Sequence, residues 1–172
     1  YQFARLRLQR NRLYRYDMLW RGNHYVNPGL TSGALGAHSI NTRRLWQDHD
    51  FTLFPQSSLR LLAGYSRNSQ HGPSLSSIQL FESRGDEFPL YSPVARQQTE
   101  FRLGAILSVA GFQFTVIHGR QTFREQSSAR IDSPQPGAHP DDNNQLNSFS
   151  GNEPYQGNTP FSRFLLHYER KK

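Results

Sequence analysis

The most regular hydrophobic pattern in the chain runs from Arg96 to Val109, where odd positions carry Thr99, Phe101, Leu103, Ala105, Leu107 and Val109. Even positions carry Arg96, Gln98, Glu100, Arg102, Gly104 and Ser108, and only Ile106 breaks the alternation. Side chains alternate faces along a strand, so a period of two predicts a strand with one apolar and one charged face. Ala110-Gly111 then offers a two-residue turn, and the returning strand sets Phe112, Phe114 and Val116 against Gln113, Thr115, Gly119 and Gln121.

A second hairpin is centred on FPQSS. Its outgoing strand opposes Leu59, Leu61, Ala63 and Tyr65 to Ser58, Arg60, Gly64, Ser66 and Asn68, with Leu62 the exception. The incoming strand is less regular, since Phe51 and Leu53 share a face with Gln47 and His49. At the start of the chain Ala4, Leu6 and Leu8 alternate with Arg5, Arg7 and Gln9, and farther on Tyr14, Tyr16, Met18 and Trp20 alternate with Arg15 and Asp17. Arg10 and Arg12 interrupt that apolar face, which predicts a bulge there or a position at lipid-headgroup level. The last strand sets Phe164, Leu166 and Tyr168 against Arg163, His167 and Glu169.

About six strands are expected, over 1-17, 41-54, 58-69, 96-109, 112-126 and 161-172, with long polar loops over 18-40, 70-95 and 127-160. Very short links at 55-57 and 110-111 thus alternate with long ones. A transmembrane β-barrel has this rhythm, because consecutive hairpins close on opposite sides of the membrane. The expected fold class is all-β, an antiparallel up-and-down transmembrane β-barrel segment with short turns on one side and long loops on the other. Strands of about ten residues cross a bilayer at a tilt.

Composition narrows the alternatives. The chain has 172 residues, 35% of them hydrophobic, and a mean hydropathy of −0.76. No run approaches the roughly 18 apolar residues that a spanning helix needs. There are no cysteines, so neither a disulfide framework nor a cysteine metal site is available, and no metal or cofactor is expected. The first residues already read as a strand, without an initiator methionine or an apolar signal region, which predicts a chain truncated at both ends.

The net charge is +7, and lysine occurs only at Lys171 and Lys172. A nucleic-acid-binding domain gathers its cations on one patch or helix, whereas these arginines recur singly along successive strands. No nucleic-acid partner is therefore expected. The spacing suits the wall of a polar channel, with Arg5, Arg7, Arg60, Glu100, Arg102 and Arg163 lining the pore. Leu59, Leu61, Phe101, Leu103, Leu107, Phe112, Phe114, Val116, Phe164 and Leu166 then face lipid. Arginines on a water-filled lumen favour anionic solutes, unless pairing with Glu100, Glu169 and Asp17 merely stabilises the wall.

The runs DFTLFPQSSLRLLAGYSRNSQHGP, SRGDEFPLYSPVARQQTEFRLGA and NEPYQGNTPFSRFLLHYER together resemble large outer-membrane β-barrels of Gram-negative bacteria, nearest to porin-like barrels related to the sheath component of decahaem electron conduits. The resemblance rests on strand and turn phrasing across most of the chain. It implies a bacterial outer-membrane location, a channel or sheath function, and a parent barrel of more strands than this chain supplies. The implied partners are outer-membrane lipid, the remaining strands of the parent barrel, and a separate cytochrome or other lumen occupant, since the chain has no Cys-Xaa-Xaa-Cys-His haem motif. No plug domain is visible, which argues against a TonB-dependent receptor.

Other motifs have plainer readings. Arg84-Gly85-Asp86 matches an adhesion tripeptide but is also ordinary turn chemistry. His139 with Asp141 and Asp142 could contribute to a hard-cation site, yet lacks further spaced ligands. Asp48, His49 and Asp50 have the residue types of a water-activating site, but adjacent strand residues point to opposite faces, and no catalytic residue is expected. The competing function is a soluble all-β ligand- or glycan-binding module, a sandwich or jelly roll.

Overall fold

The computed structural model describes residues 1–27, 40–80, 86–131, 133–137 and 143–169, and among these there is no helix. Seven strands form one antiparallel up-and-down sheet in chain order. They are β1 (Gln2–Arg10), β2 (Tyr14–Asn27), β3 (Ile40–Leu53), β4 (Leu59–Leu80), β5 (Asp86–Val109), β6 (Phe112–Ile131) and β9 (Phe149–Tyr168). A separate two-stranded ribbon, β7 (Gln135–Pro136) with β8 (Gln145–Leu146), precedes the last strand. The sheet is open, with β1 and β9 at its edges.

Two expectations are corrected. The main sheet has seven strands rather than six, because the segment read as one strand over 1–17 folds back on itself. Arg12 adopts φ 62°, and the Leu13 amide donates to the Arg10 carbonyl at 3.0 Å, closing a turn that no glycine or proline announces. The segments 18–40, 70–95 and 127–160 are also largely strand where they are described: β2 continues to Asn27, β4 to Leu80 and β6 to Ile131, while β5 starts at Asp86 and β9 at Phe149. Beyond the apolar stretch these segments are rich in proline, serine and glutamine, a composition that predicts loop, although ladder pairing persists. Pro154 and Pro160 lie in β9, an edge strand that tolerates a missing donor, and Pro93 falls in a gap of the β5–β6 ladder between Tyr91 and Val94.

The short connections gather at one end. Residues 11–13, 54–58 and 110–111 link β1 to β2, β3 to β4 and β5 to β6, while 28–39, 81–85 and 132–148 make the links at the other end. Among the described residues buried apolar side chains are few and sit at that second end. Phe88 is fully buried, with Leu90 and Ile131 beside it, and Ile78, Leu80, Ala129, Leu146 and Phe149 pack around them. Leu146 comes from β8, so the ribbon covers this cluster, and the buried Asp86 carboxylate packs against Gly137 where the ribbon turns.

Ala110 and Gly111 take φ 51° and 84°, as a two-residue hairpin turn requires at both central positions. Alanine has no compensation for a left-handed conformation, whereas asparagine tolerates it. Ala110→Asn is therefore expected to stabilise the hairpin by about 1 kcal/mol, and Gly111→Val, placed at a positive φ beside the Glu169 carbonyl, to destabilise it. Urea unfolding midpoints in detergent check both.

Candidate functional site

Directly opposite residues of an antiparallel pair share a face, so the register carries one parity across the whole sheet. Starting from Arg102, one row runs Arg7, Asp17, Asp50, Gly64, Arg102, Gly119 and Phe161. The next row, farther from the short turns, runs Arg5, Leu19, Asp48, Ser66, Glu100, Gln121 and Thr159. Arg60, opposite Ile106, and Arg163, opposite Ile117, belong to the same face. All residues expected to line a pore are thus brought to one face.

The other face collects Leu59, Leu61, Phe101, Leu103, Leu107, Phe112, Phe114, Val116, Phe164 and Leu166. Every one of them is exposed, Leu103 at 67% and Phe164 at 74%. Along β6 the apolar positions Phe112, Phe114 and Val116 are exposed while Gln113, Thr115 and Ile117 between them are half-covered. This inverts the arrangement of a water-soluble sheet, in which the apolar face is the covered one.

Arg102 is the hub of the polar face. Its Nη2 donates to Asp48 Oδ1 and Asp50 Oδ1, both at 2.7 Å, and its Nη1 donates to Glu100 Oε1 at 3.2 Å and Ser66 Oγ at 3.4 Å. To reach β3 from β5 the side chain must cross β4, and it does so over Gly64, where a methyl group would overlap the guanidinium. A second cluster gathers Arg5, Arg7 and Arg15 on the single carboxylate of Asp17, with Arg5 at 3.7 Å and Arg15 at 3.4 Å. Between the two clusters lies a groove of ≈ 420 Å³ bordered by Arg5, Arg7, Arg15, Asp17, Asp50 and Arg102. Arg96 holds Glu125 through two hydrogen bonds at 2.9 and 2.7 Å, farther from the short turns.

Arg60 and Arg163 have no carboxylate partner among the described residues. Arg60 donates instead to Ser108 Oγ at 3.2 Å. The acidic partners of Arg102, Asp48 and Asp50, were not legible as such, because the pairing depends on a register across three strands. Their alternate spacing around His49 was the available signal. His49 itself lies on the apolar face, where its Nδ1 meets the Tyr16 hydroxyl at 2.8 Å and its ring stacks on Tyr16. The histidine and the two aspartates therefore do not converge. Arg84, Gly85, His139, Asp141 and Asp142 lie outside the described residues. A larger depression of ≈ 650 Å³ occurs on the apolar side beyond its apolar stretch, among Gln97, Thr99, Thr122 and Arg124.

The Arg102 hub generates a direct test. Gly64→Val places its side chain in the path of Arg102 and should destabilise the sheet by about 1–3 kcal/mol. Gly151→Ala, whose added carbon would meet only the Phe149 ring at 3.5 Å, should leave stability unchanged. Thermal unfolding followed by circular dichroism compares the two.

No protein-family model matches the chain, and no curated protein or solved structure matches it.

Proposed function

We propose that this chain is a section of the wall of a bacterial outer-membrane β-barrel, a porin-like channel or sheath, with its polar face toward a water-filled lumen. The observation that carries the reading is the slant of the apolar band. On β9 the band consists of Phe164, Leu166 and Tyr168, and on β1 of Ala4, Leu6 and Leu8. Followed through the register, Phe164 is level with Arg10, while Ala4, Leu6 and Leu8 are level with Asn158, Pro160 and Ser162. The band climbs by three rows, or ~20 Å, over six strand spacings that together measure ~29 Å.

That slope corresponds to strands tilted about 35° from the normal of a horizontal belt, within the range of about 35–45° for membrane barrels. On β5 the band runs from Phe101 to Val109, roughly 27 Å along the strand, which such a tilt shortens to about 22 Å, close to the ~25 Å height of a lipid-facing belt. Aromatic pairs mark its borders. Phe112 and Tyr168 lie 4.6 Å apart between ring centres near the short turns, and Tyr65 and Phe101 lie 4.9 Å apart at the far side. Interfacial girdles of this kind flank the belt in membrane barrels. The slant also accounts for Arg10, which falls below the belt on β1 rather than inside it. A soluble sandwich would need a second layer over this face, and among the described residues nothing covers it.

In this reading the lumenal charges are unequal in effect. Arg102 is compensated by three carboxylates and braces the wall, while Arg60 and Arg163 contribute uncompensated positive potential. A lumen occupant such as a separate cytochrome, suggested by the resemblance to conduit sheaths, belongs to the same proposal.

In the full-length protein, Leu103→Arg should lower folding yield into liposomes, at a cost of about 2–4 kcal/mol near the bilayer midplane. Arg102→Gln should insert normally and move the reversal potential in planar bilayers toward cation preference, because Asp48, Asp50 and Glu100 lose their counter-ion. Equal yields with unchanged reversal potentials would overturn the assignment of faces. Recovery of the full-length protein in the soluble fraction without detergent would favour the soluble module instead.

A further inference from the structure

A different part of the polar face lacks the acids that neutralise the two main clusters. Two rows beyond Arg102, counting away from the short turns, the register sets Arg21, Trp46 and Asn68 side by side on β2, β3 and β4. The following row sets Asn23 beside Arg44. These five side chains border a recess of ≈ 290 Å³, at the small end of ligand pockets.

Neither arginine pairs with a carboxylate among the described residues. The Arg21 guanidinium is instead seated over aromatic rings, 4.9 Å from the centre of Trp46 and 6.0 Å from that of Phe3. Such seating fixes the cation without neutralising it, and its in-plane N–H donors remain available to an anion. Among the described residues Arg44 donates only from Nε, to Asn68 Oδ1 at 3.4 Å, so its terminal nitrogens can serve a bidentate partner. Asn23 donates from Nδ2 to the Tyr25 hydroxyl at 3.3 Å, while its Oδ1, shielded from solvent, accepts no hydrogen bond from the described residues. Shielded carbonyl oxygens are normally satisfied, so this acceptor calls for a donor from outside the chain.

We infer that this recess binds a small hydroxylated carboxylate, an acidic monosaccharide of the uronate class. The carboxylate is taken by the forks of Arg44 and Arg21, and a hydroxyl donates to Asn23 Oδ1. A plain inorganic anion could satisfy the cations but brings no such donor when fully ionised, and a neutral sugar leaves both guanidiniums unmatched. The assignment names a solute class for the face that the proposed function turns toward the lumen, and in that sense it rests on that reading. All five residues nevertheless lie on β2 to β4, so binding does not require barrel closure.

The test is isothermal titration calorimetry of the full-length protein in detergent micelles, with sodium glucuronate as ligand and glucose and sodium sulfate as comparators. Saturable glucuronate binding, at least tenfold tighter than either comparator, is expected. Arg44→Gln and Arg21→Gln should each weaken it tenfold or more, and Arg44→Lys, which keeps the charge but loses the fork, should be intermediate. Arg43→Gln, one residue away on the opposite face, should bind as the unaltered protein does. Circular dichroism of every variant verifies the fold, and Asn23→Ala supplies a second, uncharged perturbation that should also weaken glucuronate. Absence of saturable binding, sulfate binding as tight as glucuronate, or equal loss in Arg43→Gln would each overturn the assignment. Loss of lipid insertion with binding retained would instead count against the barrel reading alone.

Discussion

In-register pairing across seven strands is the constraint on which everything else in this molecule depends. A slip of one residue in any ladder would carry leucines to the charged face and arginines to the apolar one. The register is pinned at one end by tight turns, with Arg12, Phe54 and Ala110 each at positive φ, and the Phe54 amide donating to the Leu13 carbonyl between neighbouring turns. Along the strands it is pinned by cross-strand pairs: Tyr65 on Phe101, Thr99 Oγ1 on Thr122 Oγ1 at 2.8 Å, and Arg96 on Glu125. Arg102 adds a tie over three strands at once, and it can do so only because position 64 carries no side chain.

The distribution of apolar surface follows from that register and sets the solvent the sheet requires. Among the described residues only Phe88, Leu90 and Ile131 are buried hydrophobics, while large apolar side chains lie exposed along one face of β1, β4, β5, β6 and β9, and those of β2 and β3, such as Tyr16 and Phe51, are half-buried. Burial of so few side chains gives water-driven folding little to work with, and a continuous exposed apolar face of this extent marks a surface made for lipid or for another apolar partner. In the proposed reading the slanted edge of the band is the line along which a planar membrane would cut tilted strands. The proposed inside and outside of the sheet, the uncompensated arginines and the ring-seated Arg21 are consequences of the same geometry.

Much of this was legible in the sequence, for a physical reason. Parity is local information, so Leu103 and Arg102 could be assigned to opposite faces from their neighbours alone, and the turns at 55–57 and 110–111 carry proline, glycine and small polar residues. The turn at Asn11–Leu13 was hidden because Arg12 takes a left-handed conformation that its side chain does not advertise. The outer halves of β4, β5 and β6 are rich in proline, serine and glutamine, a composition typical of loops, while the hydrogen-bonded ladder continues through them. Phe88 and Leu90 reverse the parity of the band, lying on the polar face beneath the β7–β8 ribbon, and only tertiary packing explains them. Contacts such as Arg102 with Asp48 and Asp50 span more than fifty positions and become visible only with the register.

The chain contains no cysteine, so single cysteines can be introduced along β5 without background. A nitroxide scan of positions 97 to 109 in the full-length protein, reconstituted in liposomes, measures collision with oxygen, which partitions into lipid, and with a polar nickel chelate. The account predicts high oxygen accessibility at 101, 103, 105, 107 and 109, high nickel accessibility at the even positions, and a loss of the oxygen signal at 99 and 97, where the band ends. Uniform accessibility along the strand, or a reversed alternation, would contradict it.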